Sequence, residues 1–193
     1  MPTYWNYIPK RFLGADFSSF QPQTKAQEEA LSELQKGALL SNNVILTGSC
    51  GTGKTHLCFA LLKSLAQKRY QQGDPFCPSD SVLFVSIKDL LSEIKETFSG
   101  NPPPDHLYQK AIEAPLLIID EIGLQYGTKM ERQELFRLFN ERYNMMRPTI
   151  GVSNLPPKEL KNLLGQRIYD RLFSNAKVFE FIAPSYRNAY PTS

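Results

Sequence analysis

The sequence has few of the residues that bind structural metals or form disulfides, with three cysteines and two histidines among 193 residues. Cys50, Cys58 and Cys77 are odd in number and lack the paired spacing of a zinc site, so we expect free thiols in a reducing compartment. No apolar run approaches the roughly 20 residues that cross a bilayer. The segment 1–6 lacks the basic and apolar regions of a secretion signal. These absences predict a cytoplasmic protein with no membrane segment.

The overall composition is that of an ordinary globular protein. Hydrophobic residues make up 41% and charged residues 21% of the chain, and the net charge is +3. This length and balance allow one α/β domain with a buried core. A charge of this size permits contact with nucleic acid but does not require it.

Short apolar segments alternate with segments of helical periodicity. The predicted strands are 44–47, 82–86, 116–120, 149–153 and 178–182. The predicted helices are one that opens at a Thr24/Gln27 capping box, then 54–71, 89–98, 130–146, a short one from Pro157 and 167–173; 73–80 and 99–104 are predicted loops. Strands separated by helices predict βαβ units, hence one three-layer α/β domain with a mostly parallel sheet.

A glycine-rich segment joins the first predicted strand to the helix after it. Its residues match the phosphate-binding pattern G-x-x-x-x-G-K-[ST], called Walker A: Gly48, Ser49, Cys50, Gly51, Thr52, Gly53, Lys54 and Thr55, followed by His56. The glycines allow backbone N–H groups to surround phosphates at a helix N-terminus. Lys54 is expected to reach the β- and γ-phosphates of bound ATP, and the Thr55 hydroxyl to bind Mg²⁺. A glycine-rich turn that binds nothing is the alternative, but such turns seldom carry Lys-Thr at these positions.

Two acidic residues end the most hydrophobic predicted strand, 116–120. In phosphate-loop sheets this strand runs beside the phosphates and ends in an acid for the metal. Asp120 is therefore the predicted Mg²⁺ residue, acting through water, and Glu121 the predicted base that orients the attacking water. A plain polar strand end is the alternative.

Taken with three more segments, these patterns resemble the AAA+ ATPases. The resemblance is closest to the replicative-helicase loaders of the DnaC/DnaI type and the related IstB transposition ATPases. It covers about residues 17–187 and rests on the segments 48–56, 117–123, 152–155, 165–172 and 185–187. It implies a P-loop NTPase fold with a five-stranded parallel sheet in the order 5-1-4-3-2 and no C-terminal lid domain. The domain limits it implies are an N-terminal extension at 1–22, an ATPase domain at 23–187 and a tail at 188–193.

The resemblance also assigns roles to residues outside the two motifs. Asn154 matches the polar residue that senses the γ-phosphate, although a turn before Pro156 would also explain an asparagine. Arg171 matches the arginine finger that completes the ATP site of a neighbouring subunit, with Arg167 as an assistant. Local pairing of these arginines with Asp170 or Glu180 on the surface is the alternative. Arg187 is a conjectural partial substitute for the lid arginine.

The function implied is an Mg²⁺-dependent ATPase that binds ATP or ADP, self-associates, and engages a replicative helicase or DNA. A transposition helper remains an equal alternative. A small-molecule kinase and an adaptor without turnover are more distant ones. By analogy, single-stranded DNA would contact the helix after the second strand through Lys88. A solvent-exposed helix face with incidental lysines is the alternative, and it is the favoured one. Phe84 and Phe98 lie nearby and are interpreted as core.

Overall fold

The structure is a computed structural model that describes residues 8–37, 40–71, 82–98, 107–124 and 128–186. Several predictions fall outside these ranges: the loops 73–80 and 99–104, Cys77, Arg187 and the tail 188–193. All structural statements below concern the described residues.

Five strands and seven helices alternate along the described chain. The strands are β1 Val44–Gly48, β2 Val82–Ser86, β3 Leu116–Asp120, β4 Thr149–Val152 and β5 Lys177–Phe181. The helices are α1 Lys25–Leu34, α2 Lys54–Gln71, α3 Ile87–Phe98, α4 Leu107–Glu113, α5 Lys129–Asn144, α6 Pro157–Leu164 and α7 Gln166–Phe173, preceded by a 3₁₀ turn at Lys10–Phe12. None of the helices within the described ranges is long and apolar enough to span a membrane.

The strands form one sheet in the order β2-β3-β4-β1-β5, and every neighbouring pair is parallel. This confirms the expected order. Because parallel strands all end at the same edge, Gly48 lies beside Phe181, and Asp120 beside Ser86. The phosphate-loop segment and the acidic strand end therefore share the carboxyl edge of the sheet, where ligands bind in open α/β folds.

Two apolar layers enclose the sheet. In β3, Leu116 and Ile118 face the layer that includes α1 and α2, while Leu117 and Ile119 face the layer that includes α3 to α7. All residues of β3 are buried, as expected for a strand with helices on both faces. Each fully buried Leu or Ile contributes about 1.5–3 kcal/mol. The three-layer prediction is confirmed.

One helix and one buried charge were not expected from the sequence. Helix α4 is seven residues long, with only Ala111 and Ile112 buried, so it leaves almost no periodic signal. Arg142 lies in the last turn of α5 and is 1% exposed, and its contacts hold the carboxyl-terminal end of that helix in place. It donates to the carbonyls of Ala111 at 2.8 Å and Ala114 at 2.8 Å. Contacts with Ile112, Pro148 and the Thr149 hydroxyl complete its five described hydrogen bonds.

Candidate functional site at the carboxyl edge of the sheet

The phosphate-loop segment adopts a backbone that requires glycine at two positions. Gly48 has φ of +117°, and a Cβ there would meet the Phe181 carbonyl oxygen at 2.3 Å. Gly53 has φ of +91°, and its Cβ would meet the Phe20 ring at 2.4 Å. Side chains at either position would meet both a disfavoured φ and a clash. Phe181 of β5 and the ring of Phe20 thus pack closely against the loop at these two glycines and constrain its shape.

Lys54 lies inside the curve of this loop. The residue is only 5% exposed, and its ammonium donates to the carbonyls of Gly48 at 2.6 Å and Ser49 at 2.7 Å. The Thr52 hydroxyl donates to the Ser49 carbonyl at 2.8 Å, which tightens the same turn. Since α2 begins at Lys54, the positive end of its dipole lies at this point of the loop. An ammonium and a helix N-terminus therefore meet where the sequence predicts phosphates.

The Thr55 hydroxyl and the Asp120 carboxylate are in direct contact. Thr55 Oγ1 donates to Asp120 Oδ2 at 2.9 Å. The other carboxylate oxygen, Oδ1, accepts the backbone N–H of Glu121 at 2.7 Å, which fixes its orientation. One hydroxyl and one carboxylate suit Mg²⁺, which is usually held by one or two carboxylates together with substrate phosphates. The described ranges contain no group of three or more His, Cys, Asp or Glu side chains that could hold a metal. This part of the chain therefore has no metal site built from protein side chains alone.

Glu121 directly follows β3 in a left-handed conformation, with φ of +61°. Its side chain is exposed at the sheet edge, and the next residue returns to the sheet through a bond from Ile122 N–H to the Val152 carbonyl at 2.8 Å. A positive φ at a non-glycine residue is uncommon and costs about 1–3 kcal/mol. The turn therefore separates a buried Asp120 from an accessible Glu121.

Asn154 follows β4, the strand between the two motif strands. The preceding Ser153 is tied to β1 by its N–H to the Leu46 carbonyl at 2.9 Å, and its hydroxyl donates to the Ile122 carbonyl. Asn154 itself is exposed, and its amide makes no hydrogen bond to another described residue. Lys54, Thr55 and Asp120 thus form one contiguous group, and Glu121 and Asn154 lie at the same edge.

His56 turns away from the loop interior. Its Nε2 lies 3.2 Å from Ser19 Oγ and 3.3 Å from the Asp16 carbonyl oxygen. The imidazole is also 5.8 Å from the ring of Phe20. The remaining loop residues Ser49 and Cys50 are exposed. His56 therefore contacts the segment before α1, and its predicted place beside the nucleotide stays a prediction.

Arg171 is held between α7 and α5. Its Nε donates to Asn140 Oδ1 at 3.0 Å, and its guanidinium lies 4.6 Å from the ring centre of Tyr143. Among the described residues, Asp170 accepts from Gln166 and does not pair with Arg171. Arg171 therefore contacts Asn140 through its Nε and Tyr143 through the flat face of its guanidinium.

A groove opens one turn away, between the amino-terminal halves of α5 and α7. We call it the α5–α7 groove. It has a volume of about 480 Å³ and is lined by Lys129, Arg132, Gln133, Phe136, Leu164, Gly165, Gln166, Arg167 and Ile168. Three cations rim it, no acid lines it, and none of the three has an ion pair with another described residue. The groove is therefore a positively charged surface.

The predicted DNA-contacting residue, Lys88, is exposed in the first turn of α3. Next to it, Asp89 accepts a hydrogen bond from the Ser86 hydroxyl at 2.8 Å. Phe84 is half-buried and packs against the core, with its ring centre 4.6 Å from that of Phe59, so it is not an exposed base-stacking surface. The side chain of Phe98 lies outside the described part of the chain.

Sequence reasoning missed contacts that reach the phosphate loop from α1 and from the segment after β5. The Thr24/Gln27 capping box was expected and is present, but Gln27 also donates from its side chain to the Thr52 carbonyl. The backbone N–H of Tyr186 donates to the Gly51 carbonyl at 2.9 Å. No local pattern in the sequence signals contacts over such separations.

A parallel five-stranded sheet in this order, with a glycine loop after β1 and an acid at the end of β3, defines a P-loop NTPase domain of the AAA+ type. The family model described as "IstB-like ATP binding protein" matches residues 10–191, and the chain belongs to that family. A curated relative, "Replicative helicase loader DnaC" of Buchnera aphidicola subsp. Schizaphis graminum, is 30% identical over 187 residues, covering 93% of this chain and 72% of its own length.

Solved structures show the same fold. One described as "Crystal structure of the DnaC helicase loader" superposes with a TM-score of 0.74 at 21% identity, covering 90% of this chain and 99% of that chain. A second, "Crystal Structure of the DnaI", gives a TM-score of 0.74 at 20% identity, covering 93% and 94%. The suggested resemblance to helicase loaders and IstB proteins is confirmed.

Proposed function

We propose that this chain binds ATP with Mg²⁺, hydrolyses it, and uses the nucleotide state to control self-association and engagement of a DNA-processing partner. The observation that carries the proposal is the 2.9 Å contact between Thr55 and Asp120. It brings the last residue of the glycine loop and the acid of β3 within reach of a single cation. The family description as ATP-binding supports the same ligand.

Each of the described site residues has a separate role in this proposal. Backbone N–H groups between Gly48 and Thr55 would surround the phosphates, and Lys54 would exchange its contacts with loop carbonyls for phosphate oxygens. Thr55 would hold Mg²⁺ directly and Asp120 through water; the bound cation would neutralise charge on the transferred phosphoryl group. Glu121 would orient the attacking water because it is accessible beside the buried Asp120. Asn154 would contact the γ-phosphate from β4.

A neighbouring subunit would use the face formed by α5 and α7. Arg171 would reach the neighbour's ATP with the terminal amines of its guanidinium, because the Asn140 and Tyr143 contacts hold its Nε and its flat face. The α5–α7 groove lies on this same face and adds the cations Arg167, Lys129 and Arg132 to it. Cations that have no ion pair with another described residue, placed beside a proposed phosphate contact, favour an anionic neighbouring surface.

The proposed partner is a replicative helicase, since curated relatives at about 30% identity carry the name of helicase loader. The family match to IstB-like proteins supports a transposition helper as the second candidate. Single-stranded DNA would bind through the exposed Lys88 of α3. Binding of this kind should weaken steeply with salt, because phosphate contacts release counterions.

The direct test compares the full chain with Lys54→Ala and, as a matched control, Lys158→Ala on the exposed surface of α6. ATP binding and hydrolysis should be lost with Lys54→Ala and kept with Lys158→Ala. Light scattering after size-exclusion chromatography, with ADP or a non-hydrolysable ATP analogue and with or without single-stranded DNA, then reports assembly. Equal ATP affinity in wild type and Lys54→Ala would refute the assignment of the loop.

A further inference from the structure

Both ends of the described domain contact the outer side of the phosphate loop. From the N-terminal side, Gln27 Nε2 donates to the Thr52 carbonyl at 3.1 Å. From the C-terminal side, the Tyr186 backbone N–H donates to the Gly51 carbonyl at 2.9 Å. Two consecutive carbonyls of the loop are therefore held by residues from opposite ends of the fold.

A third residue joins these two contacts. The ring of Phe20 packs against Gly53 and lies 5.9 Å from the ring of Tyr186. The Tyr186 hydroxyl donates to the Gln21 carbonyl, which links the segment before α1 to the segment after β5. We call Phe20, Gln27 and Tyr186 the loop clamp.

Peptide geometry connects the clamp to phosphate binding. In a planar trans peptide, the C=O of one residue and the N–H of the next point in opposite directions. Holding the Gly51 carbonyl outward turns the Thr52 N–H inward, and holding the Thr52 carbonyl outward does the same for the Gly53 N–H. The clamp thus orients two of the N–H groups available to a phosphate.

The Gln27 amide has a fixed orientation. Its Oε1 accepts the backbone N–H groups of Gln23 at 2.6 Å and Thr24 at 3.1 Å, which closes the cap of α1. The residue is fully buried, at 0% exposure. Because the oxygen serves the helix, the NH₂ group must face the loop. One side chain therefore both caps α1 and holds the phosphate loop.

We propose that Gln27 is a positioning residue for nucleotide binding and that Tyr186 assists it through its backbone N–H. The inference rests on the proposed ATP-binding role of the loop and adds that residues before β1 and after β5 control the position of the loop. It follows that a ligand or protein that displaces the segment around Phe20 or Tyr186 lowers nucleotide affinity without touching the nucleotide.

Gln27→Glu separates the two tasks of this side chain. Glutamate is favoured at this capping position, so α1 keeps its cap. The amide donor is replaced by an oxygen that faces the Thr52 carbonyl. We expect the Kd for MgATP to rise about 5- to 20-fold, the scale of losing one buried hydrogen bond. The kcat at saturating ATP should stay within about twofold, since the reacting groups are unchanged.

The measurements are fluorescent-nucleotide titration, steady-state hydrolysis and hydrogen exchange on the full chain. The matched control is Glu28→Gln, an exposed neighbour on the same turn of α1. Amide exchange at Thr52 and Gly53 should accelerate in Gln27→Glu while the amides of α1 keep wild-type protection. Wild-type affinity, or an affinity loss that accompanies loss of protection in α1, would overturn the positioning role.

A second pair of variants tests the clamp if Gln27→Glu fails to fold. Tyr186→Ala removes the ring but keeps the N–H, whereas Tyr186→Pro removes both. The additional loss of affinity in the proline variant measures the bond to Gly51, and we expect about 3- to 10-fold. Equal affinities of the two variants would refute this part of the clamp. If wild type itself binds no MgATP, it is the proposed function that fails; wild-type binding with unaffected clamp variants rejects only the clamp.

Discussion

The Thr55 hydroxyl donates a hydrogen bond to the Asp120 carboxylate at 2.9 Å, although 65 residues separate them in the chain. The contact exists because α2 begins and β3 ends at the same edge of a parallel sheet. Asp120 is 9% exposed, so its charge is shielded from bulk water and its interaction with a cation is strengthened.

Asp120→Asn should therefore abolish most of the Mg²⁺ dependence of nucleotide binding. The variant keeps the size of the side chain but loses the charge, and losing one charge-assisted contact costs about 1.5–3 kcal/mol, or roughly 10- to 150-fold. Nucleotide titrations with Mg²⁺ and with EDTA measure the effect. Asp89→Asn, an exposed carboxylate on α3, is the control. Identical Mg²⁺ dependence in Asp120→Asn and wild type would rule out this metal position.

Glu121→Gln should separate binding from hydrolysis. Glu121 lies beside Asp120, the proposed Mg²⁺ residue, but is exposed, and an amide of the same size leaves its left-handed backbone unchanged. Losing a positioned base lowers turnover about 10²–10⁴-fold. Kd and kcat measured on one preparation test this, with Glu180→Gln on β5 as the control. Retained turnover would remove Glu121 from the role of base.

Arg171→Ala subunits mixed with wild type should depress ATPase activity below the average of the two proteins measured apart. The reason is that losing an arginine that acts in trans disables the ATP site of the neighbouring subunit. The control mixture uses Lys158→Ala, whose side chain is exposed on α6. Strictly additive activity at concentrations where light scattering detects oligomers would show that each site works alone.

Local sequence patterns predicted most of the elements and singled out the residues that the fold brings together at the candidate site. Alternation and capping signals, such as Thr24 with Gln27, act over a few residues, so the strands and most helices were predicted within a few residues of their observed limits. The phosphate loop and the acidic strand end could be read in the same way. The order of the strands in the sheet could not be predicted from local patterns; it was implied by the family resemblance.

The features missed depend on long-range contacts. Arg142 sits in a helix that alternates apolar and charged residues, where an arginine predicts an exposed position. The fold nevertheless buries it among carbonyls of α4 and of Pro148, the residue before β4. Gln27 was identified as a cap, but its second partner is 25 residues away. Such partners leave no periodic signal, because they are set by tertiary packing.

The two described cysteines should differ sharply in reactivity. Cys50 is exposed in the phosphate loop, whereas Cys58 is buried in α2. Burial raises the pKa of the Cys58 thiol, and the nearby Asp120 carboxylate raises it further, so little reactive thiolate forms. In a Cys77→Ser background, N-ethylmaleimide should label Cys50 alone until the protein unfolds, as read by mass spectrometry.

Nucleotide should protect Cys50 from this labelling, because phosphates fill the loop around it. Conversely, labelled protein should bind ATP weakly. Cys50→Ser, which keeps a small polar side chain at the same point, should bind ATP normally and resist inactivation by the reagent. Labelling of Cys50 at the same rate with and without saturating MgATP would contradict the placement of nucleotide in this loop.

Arg142→Met should be among the most destabilising single changes in the domain. Burial and, to a smaller extent, the charge of Arg147 lower the pKa of Arg142 to about 9. The guanidinium still stays protonated at pH 7, and its donors meet four carbonyls and a hydroxyl. Methionine fills a similar volume but leaves those acceptors without their donor, at about 1–3 kcal/mol for each buried group that stays unsatisfied. Partial relaxation makes a total of about 2–4 kcal/mol the expected loss.

Urea unfolding of wild type, Arg142→Met and Arg132→Met measures this loss, with Arg132 as an exposed arginine on the same helix. The control should change the free energy of unfolding by no more than about 0.5 kcal/mol. Hydrogen exchange should show α4 losing protection first in Arg142→Met, because its last carbonyls lose their donor. If both variants unfold at the same urea concentration, the buried guanidinium contributes no net stability, and apolar packing alone holds α4 against the sheet.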